Sequence, residues 1–453
     1  MFDRVVKGTI IAETASIEDG WVGIENGRIV AVGEGTPPEA RQLDDYGRAL
    51  IMPGVVDGQT HATSCKGMEG IADATRSAIA GGVTTLVDMP YDNPEPLDRP
   101  ARFKTKAEAV AEHAHADMAL YATATRETGV NEIEALIALG AVAFKISSFE
   151  SNPVRFPRIA EDLTLDIFEA LAATDVPLGI HNEDQEIVLA RMARAREAGI
   201  EGIEAHSTAR PLAAELAATA QFLALGQAAG AHAHPVHLTA REGFDLVAAF
   251  RNLGARATGE LCVHYLWFDA ADDGPRLGAR MKVNPPIRPG VIEGLWQAIE
   301  EGNVAFVSSD HSSWPIDFKL TASIFDAGAG VPGLETLLPA FFTLCSRRGL
   351  DAARMAADML CARPARFFGI DDRKGAIAVG RDADLAVLEE GAFNWNEAGA
   401  HDGLKWSPFN GEEFAVRVAA TYLRGAPGWN GSDVVNAAGT GELVKRATKG
   451  WYA

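Results

Sequence analysis

The spacing of apolar and polar positions changes twice along the chain. Runs 4–11 and 21–33 are short and strand-like. The Asn26-Gly27 pair inside the second is a strong hairpin signal, because both residues tolerate a left-handed backbone. From residue 51 onward, apolar runs such as 84–90, 118–122, 141–145, 176–181, 235–238 and 304–310 alternate with alanine-rich helical stretches, 73–80 and 209–229 among them. Strands apolar on both faces and joined by helices indicate a parallel sheet. The unit recurs often enough that a closed (β/α)8 barrel of the TIM type fits better than an open sheet. After residue 373 the texture is β again, with strands expected within 374–388 and 414–425. The expected architecture is α/β: a barrel over 52–373, flanked by a small β-sandwich built from 1–51 and 374–453, the latter including a C-terminal tail.

Composition narrows the class without naming a chemistry. Of 453 residues, 47% are hydrophobic and 23% charged, which is ordinary for a soluble globular protein. The net charge of −21 repels nucleic acid and anionic membranes, so neither is expected as a partner. No basic segment followed by an apolar core opens the chain, and no apolar run approaches the ~20 residues of a membrane span. The four cysteines (Cys65, Cys262, Cys345, Cys361) are too few and too scattered for a disulfide framework, which suits a reducing cytoplasm.

The chemistry lies at the strand ends. Asp57, Gln59 and His61 alternate along one strand and therefore share a face. Lys145, His181, His237 and Asp310 each follow an apolar run, at the end where barrel active sites form. Singly, each has an ordinary reading as a structural histidine, a helix cap or a snorkelling lysine. His113, His115, His206, His232, His234 and His401 have no comparable setting. Together, imidazoles and carboxylates converging on one mouth suit a divalent ion of the zinc type. A lysine at the end of a buried strand is costly as an ammonium. As a neutral amine, Lys145 can take up carbon dioxide to become an anionic carbamate with two ligand oxygens.

These residues sit in a series of motifs: Met52-Pro53-Gly54-Val55-Val56-Asp57, Gly140-Ala141-Val142-Ala143-Phe144-Lys145, His181-Asn182-Glu183, Lys282-Val283-Asn284-Pro285-Pro286, Ser309-Asp310-His311 and Asp382-Ala383-Asp384-Leu385. In this order they resemble the amidohydrolase superfamily, in the branch of allantoinases, hydantoinases and dihydroorotases. The resemblance implies a hydrolase that opens a cyclic amide or ureide at a C–N bond. It implies zinc, or manganese or another divalent ion, in one or two copies. His61 and Asp310 would hold the more buried ion and His181 and His237 the more exposed one. Lys145, carboxylated on Nζ, would bridge. Asp310 would be the catalytic residue, general base on a metal-bound hydroxide and then acid to the leaving nitrogen. A homo-oligomer, dimer or tetramer, is implied as well.

Two departures qualify the pattern. Gln59 stands where relatives carry the first histidine of the comb, so one ligand of the buried ion is weak or absent. Where dihydroorotases place an arginine and a histidine on the substrate carboxylate, this chain has Thr63 and Trp314. That argues against dihydroorotase activity and makes both residues candidates for substrate contact, with Asn284. Two other readings stay open: a catalytically impaired scaffold protein, and a deaminase or exocyclic amidase on the same barrel.

Overall fold

The computed structural model describes residues 1–12 and 15–452. Four strands come from the N-terminus: β1 (Arg4–Ile11), β2 (Ser16–Glu25), β3 (Arg28–Glu34) and β4 (Leu43–Pro53). Nine follow: β5 (Val55–His61), β6 (Val83–Asp88), β7 (Asp117–Ala122), β8 (Ala143–Ser147), β9 (Leu178–His181), β10 (Ala233–Pro235), β11 (Leu261–Cys262), β12 (Val307–Ser308) and β13 (His311–Ser312). The last three are β14 (Leu385–Asn394), β15 (Glu413–Leu423) and β16 (Ala426–Trp429).

Strands β5 to β10 lie side by side in chain order, all parallel. The ring continues from β10 through a parallel bridge between Ala233 and Ala257 and a bond from the Leu238 amide to the Glu260 carbonyl at 2.9 Å. It passes through the parallel pair β11–β12 and returns to β5 by way of β13. Helices such as Gly70–Ala80 and Leu212–Ala229 form the crossovers, as the alanine-rich stretches predict. Strand β11 is absent from the apolar runs read in the sequence. Only two of its residues enter the ladder, polar Thr258, Gly259 and Glu260 precede it, and its apolar continuation turns into the helix Val263–Trp267.

Two strands end earlier than their apolar runs. β10 stops at Pro235 and β12 at Ser308, and the chain then leaves the ladder at His237 (φ 44°) and Asp310 (φ 47°). A left-handed backbone is uncommon for residues other than glycine and concentrates at functional sites. Here it places both side chains at the barrel mouth.

The remaining strands form one sheet in the order β16-β15-β14-β4-β1-β2-β3. The expected sandwich is thus a single sheet curled over its own core, in which Val6, Ile24 and Ile29 pack with Leu385, Val387 and Tyr422. β4 runs almost directly into β5, which ties this sheet to the barrel. A buried ion cluster ties them again. Lys374 Nζ reaches Asp384 at 2.6 Å, Asp382 at 2.9 Å and Asp117 at the start of β7. These three carboxylates have metal-like spacing, but the ammonium fills the space between them. Among the described residues, no helix is long and apolar enough to cross a membrane.

Candidate active site

A pocket of about 270 Å³ opens at the C-terminal mouth of the barrel, lined by His61, Lys145, His181, His237 and Asp310 at its base and by Asn284 and Trp314 on its wall. Five sequence-separated residues expected to act together therefore meet in one place.

At one side of the base, His181 Nδ1 and His237 Nε2 face each other at 3.0 Å. His181 Nε2 donates to Glu183 Oε2 at 2.8 Å, which fixes the tautomer and turns the Nδ1 lone pair inward. Glu183 is in turn held by Arg210. Burial alone would raise the Glu183 carboxyl, but Arg210 and His181 outweigh it and hold it down at about 2. Its pairing contributes stability that is full above the ordinary glutamate range and is lost as pH falls toward 2. Burial lowers His181 and His237, keeping both rings neutral as ligands require.

On the other side, His61 Nε2 lies 3.5 Å from Asp310 Oδ1, with its Nδ1 on Ser64 Oγ at 3.1 Å. Gln59 Nε2 donates to that same carboxylate oxygen at 2.9 Å. Its Oε1 is buried with no hydrogen-bond partner. This orientation suits an ionised Asp310, since the turned amide would set its oxygen against the carboxylate. Asp57, the third tooth of the comb, clamps the turn that carries Asp310. Its carboxylate accepts from the Ser309 amide at 2.8 Å and from Ser309 Oγ at 2.5 Å.

Lys145 stands between the two halves, 2% exposed, and forms no ion pair within 4.0 Å among the described residues. Burial lowers its pKa against the opposing pull of Asp310 and Glu260. Its amine lies 5.9 Å from the Phe156 ring centre. Such an amine has the unprotonated fraction that carbamate formation needs. The converging ring nitrogens, a desolvated lysine and the Asp310 carboxylate form an N/O donor set suited to a divalent ion of the zinc type.

The wall only partly matches expectation. Asn284 lines the pocket with its Oδ1 unpartnered, and Trp314 lines it beside Phe318, ring centres 5.4 Å apart. Thr63 is not part of the lining. It is fully buried, with Oγ1 donating to Asp92 at 2.5 Å, and it belongs to a network in which Lys106 Nζ pairs with Asp88 and Asp92, each at 2.6 Å. Those two carboxylates claim the hydroxyl, so the side chain turns away from the mouth.

Several site residues escape sequence reasoning. Tyr91 and Phe156 come from the loops after β6 and β8 and pack with ring centres 5.1 Å apart. Glu260, on the approach to the overlooked strand β11, is a fully buried carboxylate that acts electrostatically on Lys145. It accepts from Ser308, and His234 Nε2 is 3.4 Å away. Burial drives Glu260 up to about 7. A polar residue just before a two-residue strand has no periodic signal to announce it.

Residues 50–427 match the Amidohydrolase family. The chain belongs to that family. It is 36% identical to an allantoinase of Rubrobacter xylanophilus over 442 residues, spanning 96% of each chain. It is 29% identical to an L-hydantoinase of Paenarthrobacter aurescens, covering 98% of each. Among solved structures, the L-hydantoinase (dihydropyrimidinase) from Arthrobacter aurescens superposes with a TM-score of 0.93 at 29% identity, over 98% of this chain and all of that one. Membership accounts for the two-part fold.

Proposed function

We propose that this chain is a metal-dependent hydrolase that opens the ring of a cyclic amide or ureide, as the names allantoinase and L-hydantoinase state for its relatives. The observation that carries the reading is the meeting of Lys145, His181, His237, His61 and Asp310 at the base of one pocket whose wall includes Asn284. A divalent ion held there would supply water activation and polarisation of the substrate carbonyl. Carboxylated Lys145, His181 and His237 would hold it. Asn284, on the pocket wall, hydrogen-bonds the ring amide and sets the scissile bond over the base. Asp310 Oδ2 takes the proton of the attacking water and returns it to the ring nitrogen as the C–N bond breaks. Tyr91, Phe156 and Trp314 present aromatic faces to the ring and exclude water. The lining of this pocket includes no arginine, and its one lysine is the carbamate candidate. A neutral ring substituent therefore fits better than a carboxylate. Incubation of metal-loaded protein with hydantoin, allantoin and 5-substituted hydantoins tests the reading. The expected product is the N-carbamoyl amino acid or allantoate, and failure to open any of them overturns it.

The donor set further supports one firmly held ion rather than two. His181, His237 and carboxylated Lys145 are complete on their side. On the side of His61, Gln59 directs an N–H at Asp310 where an imidazole lone pair would serve an ion. Dialysed wild-type protein is expected to retain about one equivalent of metal, and Gln59→His about two. Two equivalents in the dialysed wild type overturn this stoichiometry.

Glu183→Gln weakens the orientation of His181. Metal affinity measured by chelator competition is expected to fall about 10- to 100-fold. An unchanged affinity would remove His181 Nδ1 from the ligand set.

A further inference from the structure

The pocket wall opposite Tyr91 and Phe156 is made by two segments, one carrying Asn284 and the other running from Trp314 to Gly330. What fixes them to each other is a pair of lysines that meet no carboxylate. Lys319 is fully buried, and its Nζ donates to the carbonyls of Lys282 at 2.7 Å, Gly328 at 2.9 Å and Gly330 at 2.7 Å. Lys282 lies two residues before Asn284, and its Nζ donates to the Ile324 carbonyl at 2.6 Å and to the Ala327 carbonyl. The Gly330 amide completes the link by donating to the Lys282 carbonyl at 3.0 Å. Burial works against a charge on Lys319, but three carbonyl oxygens at this range are all satisfied only by a protonated amine, which has three N–H donors. The Trp406 ring lies 5.6 Å from the ammonium, and its Nε1 donates to the Trp314 carbonyl at 2.9 Å, holding the other end of the loop.

We propose that Lys319, seconded by Lys282, is the positioning residue that sets the substrate-binding wall, joining the Asn284 segment to the 314–330 loop so that the spacing between them decides which ring substituents are accepted. Lys319 touches no substrate and lies outside the pocket lining. It acts through Lys282 on Asn284 and through its own carbonyl partners on Gly328 and Gly330, both of which line the pocket. A lysine bonded only to backbone carbonyls is suited to this task. It organises main chain from several segments at once, and losing it strands the Gly328 and Gly330 carbonyls and leaves the Lys282 carbonyl only the Gly330 amide. The inference rests on the ring-opening reading for its kinetic arm and on the structure alone for its exchange arm.

The test is Lys319→Met in the full-length, metal-loaded chain, with Lys282→Met as the second variant. With Lys319→Met, KM for hydantoin is expected to rise about tenfold while kcat stays within about threefold, since an unsatisfied buried carbonyl lets the wall relax without touching the reacting groups. The ratio of kcat/KM between hydantoin and a 5-benzyl hydantoin is expected to shift by about fivefold, with metal content unchanged. A lysine that only stabilised the fold would lower the melting temperature and leave KM and that ratio alone. Unchanged KM and ratio in folded protein overturn the proposal. Hydrogen exchange at the Gly328 and Gly330 amides gives the arm that needs no substrate. Faster exchange in either variant supports the weld, and wild-type protection in both overturns it. If the wild type opens no cyclic ureide, the substrate reading fails and the exchange result alone decides the positioning role. If Lys319→Met does not fold, Lys282→Met decides both arms.

Discussion

Replacing Lys145 by alanine is expected to abolish ring opening and strip the protein of tightly held metal. Lys145 is the single residue that stands between the two halves of the site, and it is the one side chain there able to become a two-oxygen anionic ligand. Removing it leaves the ring nitrogens of His181 and His237 without an anionic co-ligand for an ion and Asp310 without the group whose charge it faces. Lewis-acid assistance is worth several kcal/mol, so kcat/KM is expected to fall by about 10⁴-fold or more. The measurement is steady-state hydrolysis of whichever ureide the wild type opens, paired with metal analysis after dialysis. Short carboxylic acids added to Lys145→Ala are expected to restore part of both, because they can occupy the space of the lost carbamate. If Lys145→Ala keeps its metal and its activity, Lys145 is not a ligand and the site has been assigned incorrectly. Wild-type activity is also expected to drop when carbon dioxide is purged during metal reconstitution, and to recover with bicarbonate.

The second large effect is expected at Asp310. Asp310→Asn keeps the size of the side chain and can still accept from Gln59 Nε2, whose present bond is 2.9 Å long. It cannot take a proton. The loss of a positioned proton acceptor costs about 10²- to 10⁴-fold in rate, and the loss should appear in kcat with KM little changed, since Asn284 and the aromatic wall are untouched. Metal held by the His181 side should survive. An Asp310→Asn variant within about tenfold of wild-type kcat would move the proton transfer to another group, and Glu260, a buried carboxylate that acts electrostatically on Lys145, would be the next residue to test.

The two substitutions probe different halves of one arrangement, and their consequences separate it from its alternatives. A scaffold that has lost its chemistry would show no kinetic response to either change. The intact donor set at His181, His237 and Lys145 and the buried clamp of Asp57 on the Asp310 turn are features that a site freed from catalytic demand has no physical reason to keep. Gln59 is the one altered tooth of the Asp57-Gln59-His61 set, and its amide donates to the Asp310 carboxylate at 2.9 Å, which favours the ionised form of that group.

The alternation of apolar runs and helical stretches determined the barrel, because a strand buried on both faces leaves a continuous apolar signal and each crossover helix leaves a periodic one. The Asn26-Gly27 hairpin and the C-terminal strand pattern determined that the two ends of the chain form β structure. Residue types at strand ends marked His61, Lys145, His181, His237 and Asp310, since a strand has a direction and a barrel gathers all its C-terminal ends at one mouth. Sequence left undecided whatever depends on which way a side chain turns once the backbone leaves a ladder. Thr63 turns inward to two carboxylates, a choice made by Asp88, Asp92 and Lys106 from other segments. Glu260 sits before a strand two residues long, too short for periodicity to register. The terminal strands make one curled sheet, because β4 pairs on one side with β1 and on the other with β14, a pairing between residues more than three hundred positions apart. The wall of the pocket was likewise settled only in three dimensions. In sequence Lys282 is only the first residue of the Asn284 motif and Lys319 carries no signal, and only the fold brings their amines to the backbone carbonyls of the loop they hold.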